Sequence, residues 1–379
     1  MTANRFDHLV PEYIRSAPAY VPGKPVEEAA REFGLDPASI VKLASNENPL
    51  GISNRVKAAI SAAVDHAERY PDAHGYALRQ KLVEMLGVEP AQILLGNGSS
   101  DLIAMVAQTF LTAKSSVVLS QHAFSAYVSA SRAQGAELIT APARDFGHDP
   151  DAMLAAIRPD TRLMFIANPN NPTGTYLAPD VLRDFIARVP GDVIVMLDEA
   201  YREYQPAADV PASLDWIADH PNLIVSRTLS KGYALGGLRI GYAVGSRDVI
   251  DLTNRVRQTF NTNLIAQAAA VAALDDKEHL ARTHAMNAAG LRQLDKGLAA
   301  LGLDRVPSAA NFIMVAVPDG PTIYRALLRK GVIVRPLGPN YGLSGYLRVS
   351  VGTEAENARF LEAMGDVLAI LATAPAAAE

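Results

Sequence analysis

Ser226-Arg227-Thr228-Leu229-Ser230-Lys231-Gly232-Tyr233-Ala234-Leu235-Gly236-Gly237-Leu238-Arg239 follows a short apolar run, Leu223-Ile224-Val225. The run reads as a buried strand, which puts Lys231 in the loop just past a strand's carboxyl end. Open α/β sheets gather their ligand sites there. A lysine alone in a loop is ordinarily a solvated charge. Here two hydroxyls, Thr228 and Ser230, precede it, Gly232, Gly236 and Gly237 let the backbone turn closely, and Arg239 lies eight residues on. Hydroxyls, amides and a guanidinium suit a phosphate. A lysine beside a bound phosphate points to an amine held against a phosphorylated carbonyl compound.

Outward from this stretch, strand and helix patterns alternate between Gln92 and Gly245. The strand candidates are Gln92 to Leu95, Val117 to Ser120, Glu137 to Thr140, Leu163 to Ala167, Val193 to Leu197, Leu223 to Ser226 and Ile240 to Val244. Continuous apolar strands separated by helices predict an α/β fold, a mostly parallel sheet covered on both faces. After Asp248 alanine-rich helices run to about Leu301; beyond Asn311 short strands and helices mix. The division expected is an N-terminal arm over 1–45, a large domain over 46–275 and a smaller α+β domain over 276–379, completed by the arm. At 379 residues the chain is too long for one ordinary core.

Composition narrows the function classes. Hydrophobic content of 49% with 20% charged residues is that of a globular protein. A net charge of −5 argues against nucleic acid as a partner. With no cysteine there is no disulfide and no thiolate metal site, and no metal is expected. The first twenty residues mix Arg5, Asp7, His8, Glu12 and Arg15 with prolines, and no run approaches membrane-spanning length. A cytoplasmic protein without membrane contact is the expectation.

Two further loops follow strand candidates. Gly96-Asn97-Gly98-Ser99-Ser100-Asp101 lies between a strand and a helix, where free amides and the helix dipole hold a phosphate. A plain helix cap, with Ser99 or Ser100 capping, is the compatible alternative. Asn168-Pro169-Asn170-Asn171-Pro172-Thr173-Gly174 is a turn whose first asparagine can donate its amide to a phenolate oxygen. Asn168 precedes Asp198 by 30 residues and Asp198 precedes Lys231 by 33, each about one strand-helix-strand unit, so the three belong to one sheet edge.

Pyridoxal phosphate is the compound that fits an amine beside a phosphate. Ser230-Lys231 with Arg239 resembles the cofactor-lysine motif of fold-type I pyridoxal-phosphate aminotransferases, in particular the histidinol-phosphate aminotransferase family, and the resemblance extends over nearly the whole chain. With that cofactor, Asp198, directly after five apolar residues, reads as the carboxylate that keeps the pyridine nitrogen protonated rather than as an arginine's partner. Tyr201 would share the ring oxygen with Asn168, the residue that the resemblance assigns to that oxygen, and Ala200 would leave room beneath the ring. The resemblance also implies that Tyr127 lies against the ring, that Asn46 lines the substrate site, and that Tyr70 reaches the cofactor phosphate of the neighbouring subunit of a homodimer. Arg348, alternating with apolar neighbours, suits an α-carboxylate. Arg335 and Tyr20 match family positions that contact the substrate's distal phosphate.

The implied reaction begins with Lys231 bonded to the cofactor; the substrate amine displaces it, and Lys231 then moves a proton from the substrate's α-carbon. Histidinol phosphate and 2-oxoglutarate are the implied partners, giving imidazole-acetol phosphate and glutamate. Family members that prefer phenylalanine or tyrosine stand as one alternative, and the stretch Arg257 to Asn263 has a threonine where many members have proline, a change expected to reshape the pocket. A threonine-phosphate decarboxylase, sharing fold and lysine, is another. A regulator built on an aminotransferase-like domain would need a DNA-binding module, which is not expected here.

Overall fold

The computed structural model describes residues 5–17 and 23–373. In chain order its strands are β1 (Val41–Lys42), β2 (Ile93–Gly96), β3 (Ser116–Ser120), β4 (Glu137–Ala141), β5 (Thr161–Ala167), β6 (Ile194–Asp198), β7 (Leu223–Thr228), β8 (Gly241–Gly245), β9 (Arg305–Val306), β10 (Phe312–Ala316), β11 (Val332–Ile333), β12 (Arg335–Leu337) and β13 (Leu343–Ser350). Seven form one sheet in the order β2-β8-β7-β6-β5-β3-β4. β8 is antiparallel to both neighbours and every other pairing is parallel.

The apolar strand runs exist because both faces of this sheet are covered. Along β5, Leu163, Phe165 and Ala167 join one cluster with Leu102 and Val106 of the helix Ser99–Phe110. Met164 and Ile166 join the opposite cluster with Leu182 and Phe185 of the helix Pro179–Ala187. That is the period-two alternation of a strand, with apolar partners on each side. The helix Leu264–Asp275 packs into the second cluster through Ala266, Ala269, Ala270 and Ala273. It ends at Asp276, whose side chain accepts the His279 N–H and so starts the next helix, Lys277–Ala300.

A four-stranded antiparallel sheet, β12-β13-β10-β9, carries the rest of the chain. Its core joins Ile313, Val315, Leu347 and Val349 to Leu294 and Leu298 of the long helix and to Phe360 and Met364 of the helix Glu354–Thr373. The N-terminal segment contributes β1, parallel to β11, and Leu43 to this core. β3 pairs with β4 on one side and β5 on the other, so the strand order reverses there and leaves a crevice at the carboxyl ends. No described helix is long and apolar enough to cross a membrane.

Candidate active site

Register puts Ala167, Asp198 and Ser226 side by side at the carboxyl edge of β5, β6 and β7. The loops beyond them, with residues from the N-terminal segment and from β12 and β13, enclose one cleft. Of the sequence-derived candidates, Ser99, Ser100, Tyr127, Asp198, Tyr201, Ser230, Lys231, Arg239, Asn46, Arg335 and Arg348 all line it. Asn168 and Tyr70 do not, and Tyr20 lies outside the described residues.

The end of the cleft suited to a phosphate lies where the helix Ser99–Phe110 begins. Its N-cap is Gly98, at φ 80°, with no side-chain cap, so neither Ser99 nor Ser100 caps as the alternative reading had it. Both serines stand inside the first turn, beside amides that the helix itself leaves without partners. Arg239 fits against Gly98: a Cβ there would stand 2.3 Å from the guanidinium. Arg239 also donates to Ser230 Oγ at 3.3 Å and to the Gly236 carbonyl at 3.2 Å. Its φ of 59° and the 54° of Asn46 are left-handed, a conformation costing about 1–2 kcal/mol without glycine. Such strain persists where the surroundings over-determine it, and both residues line the cleft.

Asp198 is buried, and the hydroxyls of Tyr127 (2.7 Å) and Ser226 (3.2 Å) donate to its two oxygens. Burial raises its pKa, and those two hydrogen bonds pull it back. Two donors on two oxygens is the pattern of a carboxylate rather than an acid. The arginine that could have claimed a buried carboxylate here goes to the next residue. Glu199 takes Arg227 at 2.8 Å and Arg202 at 3.3 Å, leaving Asp198 to face the cleft.

Two sequence expectations are corrected at this point. Asn168 is fully buried, with its amide spent on both backbone groups of Leu177, whose N–H it accepts at 2.8 Å and whose carbonyl it donates to at 3.2 Å. The cleft asparagine is Asn171, which donates to Tyr201 Oη at 3.2 Å and accepts from Arg348 at 2.6 Å. Likewise Tyr127 has one ring face stacked on Phe165, with centroids 4.5 Å apart and planes 4° apart, and its hydroxyl given to Asp198. The aromatic better placed for a ring in the cleft is the half-buried Phe124, which meets Tyr127 edge-on at 5.6 Å. Asn171 and Phe124 each lie three residues from the residue of the same type that the sequence reading favours, Asn168 and Tyr127.

Tyr201 Oη also accepts the Asn46 amide at 2.9 Å, and burial pushes its hydroxyl up to about 12, with Arg348 opposing. With two amides donating to its oxygen, its own proton is left to donate. Lys231 Nζ donates to the Ser45 carbonyl at 3.0 Å and stands 6.0 Å from the Tyr201 ring centre. Burial brings this amine down to about 8, helped by the positive charges of Arg348 and Arg239 and opposed by Glu47. It is therefore a partly neutral, nucleophilic amine near neutral pH.

Arg348 is buried on β13, donates to the Ala44 carbonyl at 2.7 Å, and lies directly opposite Arg335 of β12. Tyr70 is 82% exposed and stacks on Phe260, centroids 4.7 Å apart. Phe260 belongs to the Arg257–Asn263 stretch, none of which lines this cleft. No group of side chains able to hold a metal occurs among the described residues.

The donor set fits pyridoxal phosphate: a helix start with serines and an arginine for the phosphate, a buried amine for the carbonyl, and a hydrogen-bonded carboxylate for the ring nitrogen. The comparisons agree. The family model "Aminotransferase class I and II" matches residues 38–364. A histidinol-phosphate aminotransferase of Methylobacillus flagellatus is 52% identical over 364 residues, covering 96% of this chain and 98% of that one. Histidinol-phosphate aminotransferase 2 of Pseudomonas aeruginosa is 53% identical, covering 94% and 96%. Among solved structures, histidinol-phosphate aminotransferase from Sinorhizobium meliloti in complex with pyridoxal-5'-phosphate superposes with a TM-score of 0.88 at 28% identity, covering 98% of this chain and 99% of that one.

Proposed function

The chain belongs to the class I and II aminotransferases, and from that membership we propose that it transfers the amino group between histidinol phosphate and 2-oxoglutarate, yielding imidazole-acetol phosphate and glutamate, with pyridoxal phosphate as cofactor. One observation carries the reading. In a chain of net charge −5, the charged residues of the cleft wall, among the described residues, are Lys231, Arg239, Arg335 and Arg348 against Asp198. That wall suits two anions, the cofactor's phosphate and a second on the substrate.

Bound pyridoxal phosphate supplies a carbonyl that captures amines and a protonated pyridine ring that takes up the electron pair of a breaking Cα–H bond. Ser99, Ser100, Ser230 and Arg239 hold the phosphate. Asp198, oriented by Tyr127 and Ser226, holds the proton on the ring nitrogen. Tyr201 and Asn171 donate to the ring oxygen. Lys231 Nζ would anchor the cofactor's carbonyl carbon and, once freed by the substrate amine, would serve as the base that takes the proton from the substrate's Cα. Arg335 and Arg348 bind the substrate's anionic end, a phosphate ester in one half-reaction and a carboxylate in the other.

Arg335→Ala tests the phosphate role. A charge-assisted hydrogen bond is worth about 1.5–3 kcal/mol, so kcat/KM for histidinol phosphate is expected to fall about 10- to 150-fold, with much less change for phenylalanine. Equal losses for both substrates would remove Arg335 from phosphate recognition.

We also infer a homodimer in which Tyr70 serves the partner's site; its exposure and its absence from its own cleft support this. Lys231→Ala and Tyr70→Ala subunits, unfolded and refolded together, should then regain activity beyond the sum of the separate variants, because each mixed dimer holds one site with both residues. No gain on mixing would place Tyr70 outside the neighbouring site.

A further inference from the structure

A second cleft, sharing no residue with the first, is lined in part by Arg202, Glu203, Arg227, Tyr233 and Tyr242. Glu203 belongs to the 3-10 turn Arg202–Tyr204 that follows Tyr201. Its Oε2 is sealed from solvent and has no hydrogen-bond partner among the described residues. Its stem lies against Gly232, the residue after Lys231: a Cβ on Gly232 would stand 2.9 Å from Glu203 Cβ and 3.1 Å from its Cγ. The Gly232 carbonyl accepts the Asn48 amide at 3.1 Å, and the same amide donates to Thr283 at 3.0 Å. The backbone next to Lys231 is thus fixed by Asn48 and by Glu203, neither of which lines the cofactor cleft.

The groups facing Glu203 are Arg202 and Tyr204 on its own turn, Glu199 after β6, Arg227 on β7, Tyr233 in the lysine loop and Tyr242 on β8. The helix Lys277–Ala300 packs on the turn and carries the buried His279 one helical turn before Thr283. Both arginines are engaged by Glu199, which also accepts the Ser213 hydroxyl at 2.6 Å. We propose that Glu203 is a positioning residue for Lys231: as a protonated carboxyl it packs under Gly232 and holds the lysine loop in place, and on ionisation it lets that loop shift.

Burial keeps the proton on, pushing this carboxyl up to about 7 against Arg202, its own backbone and Arg227, with Glu199 adding to the upward push. Once charged, the sealed oxygen needs a donor. The candidates are Arg202, Arg227 and Tyr233, so the stem is drawn off Gly232 toward them. The linkage has a definite sign. Between the ordinary carboxylate value of 4.5 and about 7 the folded protein holds a proton that the unfolded chain has lost, so this group's contribution to stability falls as pH rises through that window.

The inference rests on Lys231 being the cofactor-bearing amine. Its test is kcat/KM against pH for the wild-type, Glu203→Gln and Glu203→Ala holoenzymes, with thermal unfolding measured alongside. The wild type should lose activity and stability through an ionisation near pH 7 that Glu203→Gln lacks, the amide keeping the low-pH activity across the range. Glu203→Ala, without a stem under Gly232, should run about tenfold below the Glu203→Gln profile at every pH and show no ionisation near pH 7. Should Glu203→Gln fail to fold, Gly232→Ala carries the same test, because its methyl presses on the Glu203 stem and should displace the ionisation. Superimposable wild-type and Glu203→Gln profiles, or an ionisation unmoved by Gly232→Ala, would overturn the proposal. Wild-type turnover separates the two readings: an active wild type with unmoved profiles fails the Glu203 role alone, whereas a wild type inactive in transamination fails the Lys231 reading beneath it.

Discussion

Replacing Lys231 with alanine is expected to lower turnover by about 10⁴-fold or more, because in the proposed mechanism one side chain both anchors the cofactor's carbonyl carbon and moves the proton from the substrate's Cα. The proposed phosphate site does not use this amine: Arg239, Ser230 and the helix start at Ser99 remain. The variant should therefore still bind pyridoxal phosphate non-covalently, measurable as cofactor retained through gel filtration but lost after denaturation. A fully active Lys231→Ala protein would remove Lys231 from the chemistry. A linked effect appears in the cofactor-free protein. Burial holds this amine near 8 while in the unfolded chain it titrates at its ordinary 10.5, so the unfolded state carries the extra proton between those values. Stability should rise with pH across that window in the wild type, and Lys231→Ala should lack the rise.

Asp198→Ala should cost about 10²- to 10³-fold in kcat with a far smaller change in KM, since the role proposed for its charge is exerted on the electron pair released in the transition state rather than on substrate binding. The substitution also leaves the buried hydroxyls of Tyr127 and Ser226 without their acceptor. Asp198→Asn separates the two effects: it keeps an oxygen for those hydroxyls and removes the charge, so it should fold like the wild type and remain slow. Near-normal kcat in Asp198→Asn would mean that the carboxylate orients Tyr127 and nothing more.

The sheet is legible because β5, β6 and β7 are buried on both faces, and such strands are written as continuous apolar runs, from three residues in β7 (Leu223 to Val225) to five in β5 (Leu163 to Ala167). β1, β9, β11 and β12 have two or three residues each, too few for any period, and they were not anticipated. Arg335 therefore stands out in the sequence while its strand does not. In the candidate site, residues fixed by strand ends were readable. Asp198 ends β6, and Lys231 follows β7 after one turn. Inside loops the choice between chemically identical neighbours was not. Asn168 and Asn171 each precede a proline, and only the Leu177 backbone, nine residues beyond Asn168, decides which one points away from the cleft. Nothing in the sequence around Glu203 reveals that its stem lies against Gly232 or that its Oε2 is sealed from solvent.

The central claim is tested most directly by a single half-reaction. Protein loaded with pyridoxal phosphate is mixed, without a keto acid, with histidinol phosphate, phenylalanine or threonine phosphate, and loss of the bound cofactor's visible absorbance is followed. Rapid loss with histidinol phosphate, far slower loss with phenylalanine and no carbon dioxide from threonine phosphate is the predicted result. Faster conversion of phenylalanine than of histidinol phosphate would contradict the assigned substrate while leaving the transamination machinery intact, and carbon dioxide release from threonine phosphate would contradict transamination itself.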